Sequence, residues 1–387
     1  MSLSIVSLFT GIGGIEHGMA QSGHSTKLMC EILEPAKNIL QKNYPDIELL
    51  SDVTKIDSLP HSDIITAGFP CQDLSQAGMK KGINGNKSNV VFHLFRLLDS
   101  LGSRKPEWLL VENVPYMLRL DRGGAMNSLV KMLEQRGYKW AYRVVDARSF
   151  GTPQRRPRVL MLASLSHSPE NYLYSDESDQ PVVDPRPSAP IADSAYYGFY
   201  WTEGSRGVGW AKEAVPPIKG GSGLGIPSAP AVWVPSDDYF GTIDIRDAER
   251  MQGFSTNWTE FTDKKIRPSL RWKLVGNAVN TNVAKWIGEK LNQEENQLKL
   301  KGDDNFKSWP KAAFGADGKA FKVDVSAFPV HTTPQPLSNF LEHPLKDLSH
   351  RATSGFYKRT QTCTNVVYSE QFLESLTKHI DRMSVDA

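Results

Sequence analysis

The fold of this chain is decided by residues 4–23, which read Ser-Ile-Val-Ser-Leu-Phe-Thr-Gly-Ile-Gly-Gly-Ile-Glu-His-Gly-Met-Ala-Gln-Ser-Gly. The apolar run at residues 5–9 predicts a strand, and the glycines from Gly11 to Gly14 predict a tight turn. The residues from Ile15 to about Ser22 predict a helix that ends at Gly23. A glycine turn between a strand and a helix lets the backbone approach a ligand and present N–H groups at the helix N-terminus.

The same alternation of strand and helix continues through the first 165 residues. Apolar runs predict further strands at residues 28–31, 64–69, 108–112 and 159–163. Helical spacing recurs between them after Pro35, at Val91, Leu94, Phe95 and Leu98, and around Leu129. Strands separated by helices predict an α/β fold with a parallel sheet that is covered on both faces.

The composition changes after about Ser164. Residues 166–240 are rich in proline, glycine, serine and aromatic residues without a sustained period. Their aromatic residues, among them Trp201 and Trp210, predict a small loop-rich β domain with its own core. Helical spacing returns at Val279, and a mixed tail follows from about residue 300.

Length and charge exclude several classes of protein. A chain of 387 residues is long enough for two to three domains at about 150 residues each. The 45 Lys and Arg against 43 Asp and Glu leave a net charge of +2, which excludes a histone-like basic protein and a highly charged disordered chain. No apolar stretch is long enough for a membrane span, and the N-terminus lacks the basic region of a signal peptide.

The three cysteines, Cys30, Cys71 and Cys363, are odd in number and far apart. They make neither a disulfide framework nor a metal-binding CxxC pair, so a reducing intracellular compartment is expected and no metal site is predicted.

A carboxylate follows the second predicted strand about twenty residues after the glycine turn. Glu31 stands where many dinucleotide-binding folds bond ribose hydroxyls. A purely structural turn with a surface glutamate is equally compatible, and the glycine spacing departs from the GxGxxG pattern of NAD sites.

Three polar segments carry the remaining chemistry. Cys71, in Gly68-Phe69-Pro70-Cys71-Gln72, follows a strand in a polar loop and is either a nucleophilic thiolate or a buried structural cysteine. Glu112, in Glu112-Asn113-Val114, is either a substrate-binding carboxyl group or an ion-pair partner of an arginine. The basic segment Gln154-Arg155-Arg156-Pro157-Arg158 is either functional or a solvated turn.

Taken together and in order, these motifs resemble the cytosine-C5 DNA methyltransferases, which use S-adenosylmethionine. The resemblance rests on six motifs: Phe9-Thr10-Gly11-Ile12-Gly13-Gly14, Pro70-Cys71-Gln72, Glu112-Asn113-Val114, Gln154-x-Arg156-x-Arg158, Arg246-x-x-Glu249-Arg250-x-Gln252-Gly253-Phe254 and Gly276-Asn277-Ala278-Val279. Six short strings in the family's order and spacing are a specific signal.

The resemblance implies a Rossmann-like, doubly wound, mostly parallel sheet of the class I methyltransferases, with a smaller loop-rich β domain for target recognition. We expect residues 1–165 to bind cofactor and carry catalysis, and residues 166–265 to recognise the target. Residues 266–299 would return to the catalytic domain. Residues 300–387 would form a C-terminal extension without an assigned role, although His350, Arg351, Lys358 and Arg359 make part of it basic.

The resemblance also assigns the cofactor contacts. Phe9 would pack on the adenine of S-adenosylmethionine, and the glycine turn would face its methionine part. Glu31 would bind the ribose, with Asp52 and Val53 at the adenine edge. The full set of expected cofactor residues is Phe9, Gly11, Gly13, Gly14, Glu31, Ile32, Asp52, Val53, Pro70, Asn277 and Ala278.

The implied chemistry centres on Cys71, which would attack C6 of a cytosine that has flipped out of the duplex. Glu112 would bond the base, Arg156 and Arg158 would hold the base and its phosphate, and the loop at residues 72–89 would close over them. The expected DNA contacts are Gln72, Ser75, Arg155, Arg206, Lys219 and Ser222. For Arg206, Lys219 and Ser222, packing or turn formation is the plainer alternative, and the motif around Glu249 is interpreted as structural.

The net charge of +2 is then interpreted as acidic surface that offsets a basic cleft near Arg155, Arg156 and Arg158. The expected partners are double-stranded DNA and, functionally, a cognate restriction endonuclease. We expect a cytoplasmic monomer of bacterial or phage type.

The sequence argues against three alternatives. A tRNA-methylating branch of the family carries a Cys-Phe-Thr tripeptide, which does not occur in this sequence. A catalytically dead relative would not need the intact Cys71 and Glu112 motifs. Methylation of exocyclic amines would need an Asp/Asn-Pro-Pro-aromatic string, which is also missing from the sequence. Ala278 and Asn89 depart from the family's usual serine and glycine.

Overall fold

The computed structural model describes residues 2–70, 90–179, 182–203, 207–220 and 229–385. The chain divides into two compact units. The first comprises residues 1–149, 157–181 and 279–331, and the second comprises residues 150–156, 182–278 and 332–387. The sequence boundaries at 165, 265 and 299 therefore differ from this division, since both units take up separate pieces of the chain.

Within the described residues, the first unit contains a nine-stranded sheet. Its strands are β1 Ser4–Leu8, β2 Ser25–Cys30, β3 Glu48–Leu50, β4 Ile64–Ala67, β5 Trp108–Asn113, β6 Lys139–Asp146, β7 Pro157–Ser164, β12 Ala312–Ala316 and β13 Lys319–Lys322. Their order in the sheet is β13-β12-β6-β7-β5-β4-β1-β2-β3. The helices are α1 Gly14–Gln21, α2 Glu34–Asn43, α3 Val90–Leu101, α4 Gly124–Glu134, α5 Pro169–Leu173 and α8 Thr281–Leu291.

Strands β1 to β5 pair in parallel, which confirms the predicted Rossmann-like α/β fold. Strand β7 inserts antiparallel between β5 and β6, and the tail adds β12 and β13 antiparallel at one edge. Because parallel strands are buried on both faces, β4 and β5 are buried throughout, and their apolar runs could be recognised in the sequence.

Small residues allow α1 to pack closely on α8. A Cβ atom built on Gly14 would lie 2.4 Å from the carbonyl oxygen of Val279, and one built on Gly18 would lie 2.2 Å from that of Thr281. No side chain fits at either position, so these two glycines set the distance between the glycine turn and α8.

The part of the second unit that the structure describes contains a five-stranded antiparallel sheet. Its strands are β8 Tyr197–Phe199, β9 Ala211–Lys212, β10 Ala231–Val234, β11 Tyr239–Thr242 and β14 Lys346–Asp347. Their order in the sheet is β14-β11-β10-β8-β9. Its helices are α6 Ile245–Met251, α7 Leu270–Asn277, α9 Leu337–Phe340, α10 His350–Thr362 and α11 Glu370–Val385.

The C-terminal tail completes the aromatic core of this second unit. Phe372 of α11 is fully buried and lies 5.1 Å from the ring centre of Trp233 and 5.5 Å from that of Phe199. Phe356 of α10 lies 5.1 Å from Phe199. The aromatic residues therefore form a core, as predicted, but the tail supplies part of it. In the described residues, no helix is long and apolar enough to cross a membrane.

Candidate active site

Four of the predicted motifs meet at one edge of the large sheet. The sheet order places β5, β4, β1 and β2 side by side, and they run in the same direction. Their carboxyl ends carry Glu112 and Asn113, residues 68–70, the glycine turn and Glu31 respectively. Ligands bind at this edge in open α/β sheets, so the topology assembles a candidate site from segments about 100 residues apart.

The glycine turn has the backbone geometry that only glycine adopts easily. Gly11 and Gly13 have φ angles of 63° and 88°. A Cβ atom on Gly13 would lie 2.7 Å from the ring of Tyr44, whose hydroxyl donates to the Gly13 carbonyl at 3.3 Å. Tyr44 therefore supports the turn from outside, a contact that the sequence did not suggest.

Glu31 fastens the turn to the end of β2. Its carboxylate accepts hydrogen bonds from the backbone N–H groups of Gly11 and Leu33, both at 2.8 Å. Burial raises the pKa of Glu31 above its ordinary value, against the lowering effect of these two hydrogen bonds. The next side chain, Ile32, is 68% exposed, so an apolar surface lies beside the carboxylate.

Asp52 and Val53 begin a short 3-10 helix after β3. One carboxylate oxygen of Asp52 accepts from the backbone N–H of Thr54 at 3.0 Å and from its hydroxyl at 2.7 Å, and these bonds lower the pKa of Asp52. The Val53 side chain belongs to the hydrophobic core and is 6% exposed. The Val53 side chain is therefore a core residue, whereas the Asp52 side chain is partly exposed.

Asn113 anchors the segment that leads to Cys71. Its side-chain amide donates to the carbonyl oxygen of Phe69 at 2.9 Å, and the Phe69 ring meets Phe9 edge-on at 6.2 Å. Pro70, which follows, is exposed. Cys71, Gln72, Ser75 and the rest of the predicted mobile loop lie outside the described residues.

The carboxylate of Glu112 lies beside the same segment. A Cβ atom on Gly68 would be 3.7 Å from Glu112 Oε2, and Glu112 Oε1 forms a 3.1 Å ion pair with Nε of Arg158. Both side chains of the pair are mostly buried, at 10% and 14% exposure. Strands β5 and β7 lie next to each other, which brings the two residues together. Glu112 therefore forms an ion pair with an arginine, as one of the two alternatives predicted, and that arginine is Arg158.

The other two arginines of the basic segment lie in the second unit and are also engaged. Arg156 is 1% exposed, and its guanidinium donates to the carbonyl oxygens of Gly276 at 2.8 Å and Ala278 at 2.6 Å. Arg155 pairs with Asp184 at 3.3 Å. The basic cleft that the sequence suggested near these arginines is therefore not a surface of unpaired charge, because their cations serve bonds within the protein.

The remaining predicted contacts also lie in the second unit. Asn277 is exposed at the end of α7, and Ala278 is 5% exposed. The ammonium of Lys219 pairs with Glu203 and lies 3.7 Å from the ring centre of Tyr200. Arg206 and Ser222 lie outside the described residues. Their contacts with cofactor or DNA stay predictions.

Sequence reasoning missed a buried acid under the glycine turn. Glu16 is 1% exposed and bonds the hydroxyl of Ser7, while its second carboxylate oxygen has no hydrogen-bond partner among the described residues. Burial raises the pKa of Glu16 from 4.5 to about 7. An acidic residue among the apolar positions of a short helix was the only signal for it in the sequence.

Comparison with known proteins places this arrangement in a family. The profile of the C-5 cytosine-specific DNA methylases matches residues 3–195. The Type II methyltransferase M2.BsuMI of Bacillus subtilis (strain 168) is 52% identical over 385 residues, which cover 98% of this chain and 99% of that protein. M.NlaX of Neisseria lactamica is 36% identical over 167 residues, which cover 42% of this chain and 52% of M.NlaX.

Solved structures agree on the fold. The S. pombe Dnmt2 methyltransferase superposes with a TM-score of 0.55 at 18% identity and covers 75% of this chain and 100% of its own. At that identity the likeness concerns the fold alone. The similarity to M2.BsuMI, at 52% identity over nearly the whole length, shows that the chain belongs to the C-5 cytosine-specific DNA methylase family and is an enzyme of the DNA (cytosine-5-)-methyltransferase class.

Proposed function

We propose that this enzyme methylates C5 of a flipped-out cytosine within a specific sequence of double-stranded DNA, by covalent addition of Cys71 to C6. One observation carries the proposal: the anchor from Asn113 to Phe69 and the Glu112 carboxylate beside Gly68 converge on the segment that leads to Cys71. An acid that binds the base and a nucleophile that attacks it must lie close together. The proximity of Glu112 to the segment that leads to Cys71 supports this arrangement.

The chemistry requires a nucleophile because C5 of cytosine is too electron-poor to take a methyl group directly. Addition of the Cys71 thiolate forms an S–C6 bond and moves electron density to C5. C5 would then take the methyl group from the sulfonium sulfur of S-adenosylmethionine, which would leave as S-adenosyl-L-homocysteine. Loss of the C5 proton to a base, through water, restores the C5–C6 double bond and expels the thiolate, so that Cys71 ends as it began. The base that takes the proton has no assignment in this chain.

Glu112 and Arg158 prepare the site for the developing charge on the ring. In the proposed complex, Glu112 bonds N3 and the exocyclic amine of the cytosine, which stabilises the adduct more than the free base. The ion pair with Arg158 orients this carboxylate before substrate binds, and the remaining face of the carboxylate lies toward Gly68. Arg156, which is bonded to backbone carbonyls, supports the second unit and acts as a positioning residue.

The residues at the sheet edge fit S-adenosylmethionine. The backbone of Gly11 and Gly13 leaves room for close approach, Glu31 offers a carboxylate at the ribose position, and exposed Ile32 offers an apolar contact for adenine. When bound, S-adenosylmethionine supplies an electrophilic methyl group. The proposed set at this edge also includes Phe9, Gly14, Asp52, Pro70 and the backbone of Val53. The cofactor contacts of Asn277 and Ala278 stay sequence predictions.

Duplex DNA is the proposed partner because a cytosine stacked in a helix is out of reach of any thiolate and must flip. The name of M2.BsuMI, a Type II methyltransferase, supports a role beside a restriction endonuclease. We propose a monomer that acts in the cytoplasm, with sequence recognition by the second unit.

The test is transfer of labelled methyl from S-adenosylmethionine to duplex DNA, followed by bisulfite mapping. We expect transfer by the wild type and by C363S, a control at a partly exposed cysteine, and none by C71S. A covalent complex with 5-fluorocytosine DNA is also expected, since fluorine at C5 cannot leave as a proton. Wild-type rates in C71S would refute the thiolate route, and transfer to tRNA without transfer to DNA would favour the RNA-methylating alternative.

A further inference from the structure

A short segment of the second unit carries exposed cations. Residues 264–273 read Lys-Lys-Ile-Arg-Pro-Ser-Leu-Arg-Trp-Lys and contain five cationic residues and no acid. Four of them, Lys264, Lys265, Arg267 and Lys273, are exposed and form no ion pair within the described ranges. We call these four residues the basic strip. The basic strip differs in this respect from Arg155, Arg156 and Arg158, whose guanidinium groups form ion pairs or hydrogen bonds within the protein.

The fifth cation fastens this segment to the body of the second unit. Arg271 forms a 2.8 Å ion pair with Glu249, a fully buried carboxylate. Glu249 also accepts hydrogen bonds from the backbone N–H groups of Asn257 at 2.7 Å and Thr259 at 2.8 Å. Glu249 of α6 therefore binds both the connection that follows this helix and the first turn of α7. This agrees with the structural interpretation of its motif.

Local turns hold the backbone beneath the basic strip. The Asp263 carboxylate accepts from the N–H of Lys265 at 2.9 Å, and the N–H of Leu270 donates to the carbonyl of Arg267 at 3.0 Å. Trp272 packs against the hydrophobic cluster of the same unit. A ligand of the strip would have to order only side chains, because the backbone is already held, and this lowers the entropic cost of binding.

The strip continues toward the segment that contains Lys219. A Cβ atom on Gly220 would lie 3.1 Å from Cα of Lys273, and one on Gly276 would lie 2.8 Å from the Gly220 backbone nitrogen. The chain at residues 219–220 therefore runs directly along α7. Lys219 itself pairs with Glu203 and is therefore not counted in the basic strip.

We propose that the basic strip binds the phosphodiester backbone of duplex DNA. A run of exposed cations along the chain, without acids among them, attracts a polyanion, and each phosphate contact releases bound counterions. Such contacts position a protein on DNA without reading its bases. The proposal rests on the proposed DNA substrate and adds where the second unit holds the backbone.

The test compares the full-length wild type with the variant K264Q/K265Q/R267Q/K273Q. Its readout is the affinity for a short DNA duplex between about 50 and 200 mM salt, where each lost phosphate contact reduces the slope of log K against log salt by about 0.9. We expect the slope to fall by about 2 to 4 and the affinity at low salt to fall at least about tenfold. Both losses should be equal for a duplex with the sequence that the enzyme methylates and for a scrambled duplex.

Three controls make the result specific. The variant R104Q/K131Q/K139Q/K319Q removes the same charge from exposed positions of the first unit and should keep the wild-type slope. The charge-retaining K264R/K265R/K273R should also keep it. The double variant K264Q/K265Q, at two exposed turn residues, should lose about 1 to 2 in slope without a change in thermal unfolding.

An unchanged slope in both glutamine variants of the strip, with DNA still methylated by the wild type, would overturn the basic strip and leave the proposed function intact. A loss of affinity confined to the sequence that the enzyme methylates would also overturn the proposal, because such a loss would indicate base recognition. Absence of methyl transfer to DNA by the wild type itself would instead refute the proposed function.

Discussion

The side-chain amide of Asn113 donates a 2.9 Å hydrogen bond to the carbonyl oxygen of Phe69, which lies 44 residues earlier in the chain. Phe69 precedes Cys71 by two residues, and Asn113 follows Glu112 directly. This single bond therefore links the segment of the proposed nucleophile to the strand that carries the proposed base-binding acid. Asn113 itself is 3% exposed, so water offers no replacement for the amide.

Loss of this bond should reduce catalysis as well as stability. In Asn113→Asp the donor is replaced by an oxygen that faces the Phe69 carbonyl, and the unsatisfied carbonyl costs about 1 to 3 kcal/mol of folding free energy. We expect the methyl-transfer rate to fall at least about tenfold even where the variant is fully folded. Steady-state rates together with urea unfolding measure both effects. Asn305→Ala, at an exposed asparagine, is the control and should leave both unchanged.

The ion pair of Glu112 and Arg158 should show strong energetic coupling. Arg158→Ala leaves a mostly buried carboxylate without its cation, which costs about 3 kcal/mol or more. Glu112→Gln in the same protein removes that charge, so the double variant should be more stable than Arg158→Ala alone. A double-mutant cycle by urea unfolding measures the coupling. Additive free energies of unfolding would contradict the ion pair as the main interaction of these side chains.

The stability of the protein should fall as pH rises from about 4.5 to about 7 because of Glu16. Its pKa is raised by burial from 4.5 to about 7, so the folded state binds the proton more tightly than the unfolded state does. The associated stabilisation is complete below about pH 4.5 and is lost as pH rises to about 7, by up to about 3 kcal/mol.

Glu16→Gln should abolish this pH dependence and be more stable than wild type at pH 8. Urea unfolding of the two proteins between pH 5 and pH 8 measures the difference. The groups that act on Glu16 are the hydroxyls of Ser7 and Thr66 and the charge of Glu31. A difference that stays constant across this range would contradict a buried, titrating Glu16.

The contact of α1 with α8 should not tolerate a methyl group. Gly18→Ala would place a carbon 2.2 Å from the Thr281 carbonyl, a backbone atom that cannot rotate away. We expect a loss of about 1 to 3 kcal/mol in the free energy of unfolding, as for other overpacked positions. Gly355→Ala is the control, because its nearest neighbour is a side-chain nitrogen of Arg359 at 3.5 Å. Because Gly355 lies in a helix, this variant should have an unchanged free energy of unfolding or one raised by up to about 1 kcal/mol.

The aromatic core of the second unit should depend on the C-terminal tail. Phe372→Ala removes a fully buried ring among Phe199, Trp210 and Trp233 and should cost about 3 to 5 kcal/mol. Glu374→Ala, exposed on the same helix, should change stability by less than about 0.5 kcal/mol. Thermal and urea unfolding measure both. Equal stability of the two variants would contradict a tail that belongs to the core.

Local spacing along the chain was enough to predict β1, its glycine turn and α1, as well as the strands that carry Glu31 and Glu112. Periods of 2 and 3.6 residues arise within a single element, so they can be read without knowledge of its neighbours. The motif order was likewise sufficient to predict the family, which M2.BsuMI bears out.

Contacts between distant segments were decided by the tertiary structure. The spacing of Arg155, Arg156 and Arg158 shows that they are neighbours in the chain, but not that carbonyl and carboxylate oxygens of the protein bind them. It likewise does not show that Lys264 and Arg267 are exposed. The antiparallel insertion of β7 and the division of the tail between two units had no local signal either. The physical reason is that a pairing partner is selected by burial and by the course of the whole chain, which no window of neighbouring residues contains.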